Sequence, residues 1–330
     1  MNCAEVQALI TSPGFLVVLG SQALAGFISA LVSVIVTRKC GSLYFHINCK
    51  ILMTSLLVFY IAHSFFISIL QSIQLVQYFE YPDSCDVGIS PCLCFWLRFP
   101  ATVCMVSCVA LQFAMVVERA VALYNRENYE KSGPILGSIF AAASVIASFI
   151  FSCWALRLDD YTEKTTYCSS ATATSASRIT VLSFALCGVD IVTLIGIVFL
   201  FLFNNIAVKR KFFDLQSSYQ LRENISVIRF ILPLTIFQTI CFLIFTVSSG
   251  VLTLLRGSFS LITYRTLFAA IYIVPFYTMI APILMLFIMR WSRQLKESKV
   301  KMLVGRNCNE KEVYFLTYAG MWNSTHTNKH

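Results

Sequence analysis

The chain has 330 residues, 58% of them hydrophobic and only 12% charged, with a formal net charge of +9. Soluble domains carry about 25% charged residues, so a water-soluble enzyme or a nucleic-acid-binding module is excluded as the bulk of this chain. The missing charge is accounted for by long apolar runs, and with 14 residues before the first run and 41 after the last no second folded domain is expected.

The opening residues, MNCAEVQALITSP, contain no positive charge and no short apolar core with a small-residue cleavage site, so no cleaved signal peptide is expected. Six runs then contain no Asp, Glu, Lys or Arg: Phe15 to Val36, Ile51 to Phe79, Phe99 to Val117, Pro134 to Leu156, Phe230 to Leu255 and Thr266 to Met289. The fifth in chain order, Ile179 to Val208, carries one charge, Asp190. About 20 apolar residues cross a hydrocarbon core of roughly 30 Å. Lipid offers the backbone no partner, so each run must be a helix. The fold class that follows is an all-α integral membrane protein, a seven-transmembrane helix bundle over 15–289, between a short terminus at 1–14 and a basic tail at 290–330.

Orientation follows from Lys and Arg. With the N-terminus outside, 19 of the 25 lie on the cytoplasmic side and 6 outside. The expected topology is N-out and C-in. The positive charge then faces anionic inner-leaflet lipid, worth about 1 kcal/mol per residue near the surface, and needs no nucleic acid to explain it. In this topology the sequons at Asn224 and Asn323 are cytoplasmic and carry no glycan.

Of the 13 cysteines, Cys3, Cys85, Cys92, Cys94 and Cys168 fall outside, where bridges are expected. The number is odd, so at least one has no partner within the chain. Cys168 lies mid-loop, and either Cys92 or Cys94 could bond it. Polar residues within the runs are costly and turn inward. Asp190 is the sharpest, either a counter-ion for a ligand or a hydrogen-bonded carboxyl joining two helices. His63, Gln112 and Gln238 read as interhelical hydrogen bonders or ligand contacts. Pro233, Pro275 and Pro282 each remove a backbone hydrogen bond and are either hinges or static kinks. No proton relay and no matching broken halves appear, which argues against a transporter. His46, His63, His326 and His330 do not cluster with acids, so no enzyme activity, metal or cofactor is expected.

The third run ends at Glu118-Arg119-Ala120, which resembles the Glu/Asp-Arg-Tyr boundary of seven-helix G-protein-coupled receptors, with Ala in place of Tyr. The Asn-Pro-x-x-Tyr motif of the rhodopsin-like class is absent. Leu215 to Asn224, LQSSYQLREN, resembles the loop of nematode serpentine chemoreceptors, class alpha and its relatives class alpha-beta and class beta. The opening NCAEVQALITSPGF, the ERAVA boundary, the length and the short tail are similar too. The resemblance implies a chemosensory receptor, multi-pass in the plasma membrane of a sensory neuron and its cilium, whose partners are a small-molecule chemical cue and a heterotrimeric G protein. It also places the conserved outer cysteine about 25 residues before the Arg, which selects Cys94 as the partner of Cys168.

The expected ligand cavity is outward-facing, between spans three, five, six and seven, with Met105, Gln112, Asp190, Gln238 and Tyr272 as contacts. The expected G-protein surface comprises Glu118, Arg119, Tyr219, Arg222, Glu223 and Asn224. Adjacent helical residues point about 100° apart, so Glu118 and Arg119 need not bond each other. The basic, amphipathic Leu215 to Asn224 stretch is expected to extend helix six. The alternative is a seven-span ligand-gated channel or transporter.

Overall fold

The computed structural model describes residues 3–41, 45–80, 87–125, 129, 133–157, 166–168, 175–209, 215–294 and 298; the side chains of Ala4, Lys209 and 215–219 are outside it. Cys85, Asn323, Cys308 and most of the tail lie outside the described residues. The chain divides into two units, Met1–Met285 and Leu286–His330.

The elements are helical. A short helix, α1 (Cys3–Ile10), precedes α2 (Pro13–Cys40), α3 (Ile47–Glu80), α4 (Pro91–Tyr124), α5 (Ile135–Leu156), α6 (Ala176–Lys209) and α7 (Leu215–Leu254), which form spans 1 to 6. The seventh span, Leu261–Gln294, is made of α8 (Leu261–Ile271) and α9 (274–294). All seven are long and apolar enough to cross a membrane. Pro13 and Pro91 stand at the first turns of spans 1 and 3, where a fixed φ favours the helix and the missing N–H costs nothing.

Helices outrun the apolar stretches. Span 3 starts at Pro91, eight residues before Phe99, and takes in Arg98, which is buried. An uncharged run marks only the stretch within the hydrocarbon core, about 20 residues, whereas the helix continues past it at either end. Leu215 to Asn224 is continuous with span 6, as expected.

Span 3 is the axis of the bundle. Its most apolar window is 72% buried, against 28–44% for the other spans, and it packs on spans 2, 4, 5 and 6. Span 1 packs on spans 2 and 7. The lipid-facing sides show the complementary pattern, with Leu24, Phe27 and Leu31 of span 1 and Ile191, Ile195 and Phe199 of span 5 exposed at helical spacing. Large exposed apolar faces of this kind are membrane surfaces.

Spans 2 and 4 approach backbone to backbone at Gly137, where a Cβ would lie 2.7 Å from the Asn48 Cα and carbonyl oxygen. Gly137 N donates to Asn48 Oδ1 at 3.0 Å, which fixes the crossing. Small residues permit such approach in lipid, where packing rather than hydrophobicity drives helix association.

The three prolines behave differently. Pro233 sits inside an unbroken 40-residue helix, and Pro282 inside α9. Only Pro275 coincides with a break, at Tyr272 and Ile273.

Candidate functional site

On the face bearing Arg119, a buried ion pair is clamped from three other elements. Arg119 Nε donates to Glu118 Oε2 at 2.5 Å and its Nη2 donates to Oε1. The two neighbours on one helix do bond, because both side chains are sealed from water and each is the other's strongest partner. Tyr129, in the span 3–4 connection, donates its hydroxyl to Glu118 Oε1 and accepts from Arg119 and from Asn48 Nδ2, both at 3.3 Å. Its ring lies 5.7 Å from the guanidinium carbon and 4.4 Å from the His46 ring. Burial pushes the Tyr129 phenol above its ordinary value, so it stays a neutral donor. Span 6 contributes Asn224, whose Nδ2 reaches the Arg119 carbonyl at 3.4 Å and Asn204 Oδ1 of span 5 at 3.2 Å. Glu223 Oε1 accepts from the His46 N–H at 2.7 Å, an anion at the N-terminus of span 2.

Glu118, Arg119 and Asn224 are all buried here, whereas Arg222 is exposed and Glu223 half-buried. Gln220 is buried too, because this turn already packs against the bundle. The Tyr219 side chain lies outside the described residues.

Halfway along the bundle, a second polar network joins five spans through Tyr277 of span 7. Tyr277 donates to Gln238 Oε1 of span 6. Its proton is thereby committed, so Tyr60 of span 2, at 2.5 Å, and Gln112 Nε2 of span 3, at 3.4 Å, donate to it. Gln238 Nε2 donates to Asp190 Oδ1 of span 5 at 2.6 Å. Asp190 Oδ2 and Gln112 Oε1 have no hydrogen-bond partner among the described residues. Three of the five expected ligand contacts, Gln112, Asp190 and Gln238, thus meet around a tyrosine that the sequence reading did not single out. Met105 is buried seven residues from Gln112 on span 3, two turns away on the same side.

Tyr272 is separate from this network. It lies at the break in span 7, where its hydroxyl meets His63 Nε2 at 2.9 Å and its ring packs 6.0 Å from Phe245 of span 6. A broken helix in lipid needs its freed carbonyls satisfied by neighbours. Gln22 of span 1 does this, donating to Ala269 O at 2.7 Å and to Tyr272 O at 3.2 Å, while its own oxygen accepts from Gln71 Nε2 of span 2 at 2.7 Å. Gln22 and Gln71 were visible in the sequence as isolated polar residues in uncharged runs.

The opposite face is closed by covalent and apolar contacts. Cys94 and Cys168 are disulfide-bonded with a Cα–Cα distance of 5.7 Å, pinning the span 4–5 loop against Leu70, Ile89 and Leu97. Such a bond is worth about 2–4 kcal/mol. Tyr78 donates to Thr166 O at 2.6 Å, and Tyr167 packs edge-on to Phe15 at 5.3 Å. Cys3 is disulfide-bonded too, and Cys92 is a free, exposed thiol. Helix α1 buries Val6, Leu9 and Ile10 against Phe15, Leu19, Tyr78 and Ala269.

A family model described as serpentine-type seven-transmembrane G-protein-coupled receptor class ab chemoreceptor matches residues 1–323. The chain is 25% identical over 290 residues to serpentine receptor class alpha-39 of Caenorhabditis elegans, covering 83% of this chain and 74% of that one. It is 26% identical over 267 residues to serpentine receptor class beta-17 of the same organism, covering 79% and 73%. With serpentine receptor class beta-3 it shares 29% identity over 194 residues, covering 57% and 55%.

Proposed function

The chain belongs to the class ab family of serpentine seven-transmembrane chemoreceptors, as a multi-pass plasma-membrane protein, and on that premise we propose that it binds a small chemical cue among spans 3, 5, 6 and 7 and activates a heterotrimeric G protein in sensory neurons. The observation that carries this reading is the buried chain Asp190–Gln238–Tyr277–Gln112/Tyr60, which ties five spans together at one level. A ligand that takes over one of these hydrogen bonds changes the relative energies of two packings and so shifts a pre-existing equilibrium.

The readout is the Glu118–Arg119 clamp. Both residues are covered here by Tyr129 and Asn224, so a G protein engages them only after span 6 moves away from span 3. Arg222, already exposed, and Glu223 then form the rim of the opening. The N-out topology is supported by the distribution of Lys and Arg and by the bonded Cys3 and Cys94–Cys168 sharing one face, since bridges persist on the oxidising side.

The test is G-protein recruitment in cells across a panel of small odorants and metabolites. Arg119→Ala alone strands a buried carboxylate, which costs about 3–5 kcal/mol, so the variant is Glu118→Gln/Arg119→Ala. The expected result is a ligand-driven response lost in the double variant at equal surface expression. A response that survives both the variant and G-protein inhibition refutes the reading in favour of a ligand-gated channel.

A further inference from the structure

A second concentration of buried amide groups lies between spans 1, 2 and 7, beyond the proposed cavity and meeting it at Tyr272. Gln22, Gln71 and Gln74 are all buried, and Gln74 is 0% exposed. The Gln22 amide is fully used, with its nitrogen on the two carbonyls of the span 7 break and its oxygen on Gln71. The rest of the cluster is not. Gln74 Nε2 and Oε1 and Gln71 Oε1 have no hydrogen-bond partner among the described residues.

These groups share one side of span 2. Gln71 faces span 1 through Gln22. Tyr78, one turn beyond Gln74, packs with Phe15 and Leu19 of span 1 and Ala269 of span 7. Gln74 lies between them, three residues after Gln71 and four before Tyr78, so its amide turns into the same seam. Leucine there would pack in lipid-like surroundings at no polar cost, whereas a primary amide with neither donor nor acceptor engaged is a standing penalty. An amide in that position is suited to pairing with another amide-like group, one N–H to its oxygen and one oxygen to its N–H.

The polar groups of the seam itself are neutral amides, and the charged groups near it are Arg265, interacting with Tyr78 and Glu5, and Arg98, interacting with Tyr167. A neutral occupant with a donor and an acceptor matches the amides themselves. The α1 helix covers the outer end through Val6, Leu9 and Ile10, which limits the occupant to a small group.

We propose that Gln74, with Gln71 one turn away, forms a binding site between spans 1, 2 and 7 for a small neutral molecule presenting an adjacent donor and acceptor, a primary amide or a lactam. Binding there bears directly on the break in span 7, because Gln71 holds Gln22 and Gln22 holds the Ala269 and Tyr272 carbonyls. The site thus acts on the same helix whose Tyr277 centres the other network.

The experiment uses the full chain in lipid nanodiscs, with thermal unfolding midpoints read with and without millimolar δ-valerolactam or valeramide. Cyclohexanone, of the same shape as the lactam but without the N–H, is the comparison. The expected result is an upward shift with the lactam or the amide and none with cyclohexanone. The shift disappears in Gln74→Leu and persists in Asp190→Asn. Gln74→Met serves as a second apolar variant should Gln74→Leu not fold. No shift with either amide, or a shift that persists in both Gln74 variants, overturns the site. A shift lost in Asp190→Asn and kept in the Gln74 variants overturns it too, placing the amide in the cavity of spans 3, 5, 6 and 7 and leaving the receptor reading intact.

Discussion

Tyr129→Phe removes one oxygen and nothing else from the clamp around Arg119. The ring remains over the guanidinium and against His46, and the bidentate Glu118–Arg119 pair is left in place. What is lost is the hydroxyl that donates to the Glu118 carboxylate and accepts from Arg119 and Asn48. A hydrogen bond to a charged group is worth about 1.5–3 kcal/mol in proteins. Interhelical hydrogen bonds in membranes average nearer 0.6 kcal/mol and reach about 1.7 kcal/mol. A loss of about 1.4 kcal/mol from the closed packing alone is a tenfold change in its ratio to the open one. While the closed form dominates, ligand-independent G-protein recruitment should therefore rise by up to about tenfold. The assay compares basal recruitment for wild type and variant at matched surface expression. Basal recruitment that is unchanged or lower would refute the idea that Tyr129 holds Arg119 shut.

Two further substitutions test the packing behind the site. Gln22→Leu strands the Tyr272 carbonyl and the Gln71 amide nitrogen, each worth about 1–3 kcal/mol when buried without a partner, and leaves the Ala269 carbonyl with the Tyr272 N–H at 3.3 Å, so the thermal midpoint in nanodiscs should fall clearly; an unchanged midpoint would mean the break in span 7 does not depend on span 1. Gly137→Ala sets a methyl 2.7 Å from the Asn48 backbone, which cannot yield as a side chain can, so surface expression should drop, as overpacking costs about 1–3 kcal/mol. Gly133→Ala, with nothing within 4 Å of its Cβ, is the matched control and should express normally; equal expression of the two variants would contradict the close crossing of spans 2 and 4.

The seven spans were legible because the demand that makes them is local. Each stretch in lipid must satisfy its own backbone, so composition along the chain is enough to locate it. The helical extension at Leu215 was legible for a similar reason, from amphipathic spacing. The Cys94–Cys168 bridge was not reachable from the residues alone, since Cys92 sits two residues away, and it took family resemblance to choose between them. The candidate site was legible only in part. Gln112, Asp190 and Gln238 stood out as polar residues in apolar runs, but Tyr277, which joins them, reads like any aromatic in a membrane helix. Tyr129 lies in a loop with no pattern to mark it.

The sequence by itself determined that this is a seven-span membrane helix bundle of the serpentine type, and which inward-turned polar residues it has to accommodate. Only the tertiary structure decided which of them meet: that Tyr277 rather than Tyr272 centres the network with Asp190, that Gln22 caps a break in span 7 about 250 residues away in sequence, and that Arg119 is covered by Tyr129 and Asn224. Apolar content along a helix says that it crosses the membrane and nothing about its rotation or its neighbours. Those are set by side-chain packing between helices, where contacts such as Gly137 on Asn48 fix each helix's depth and angle and so fix which polar groups come within hydrogen-bonding distance.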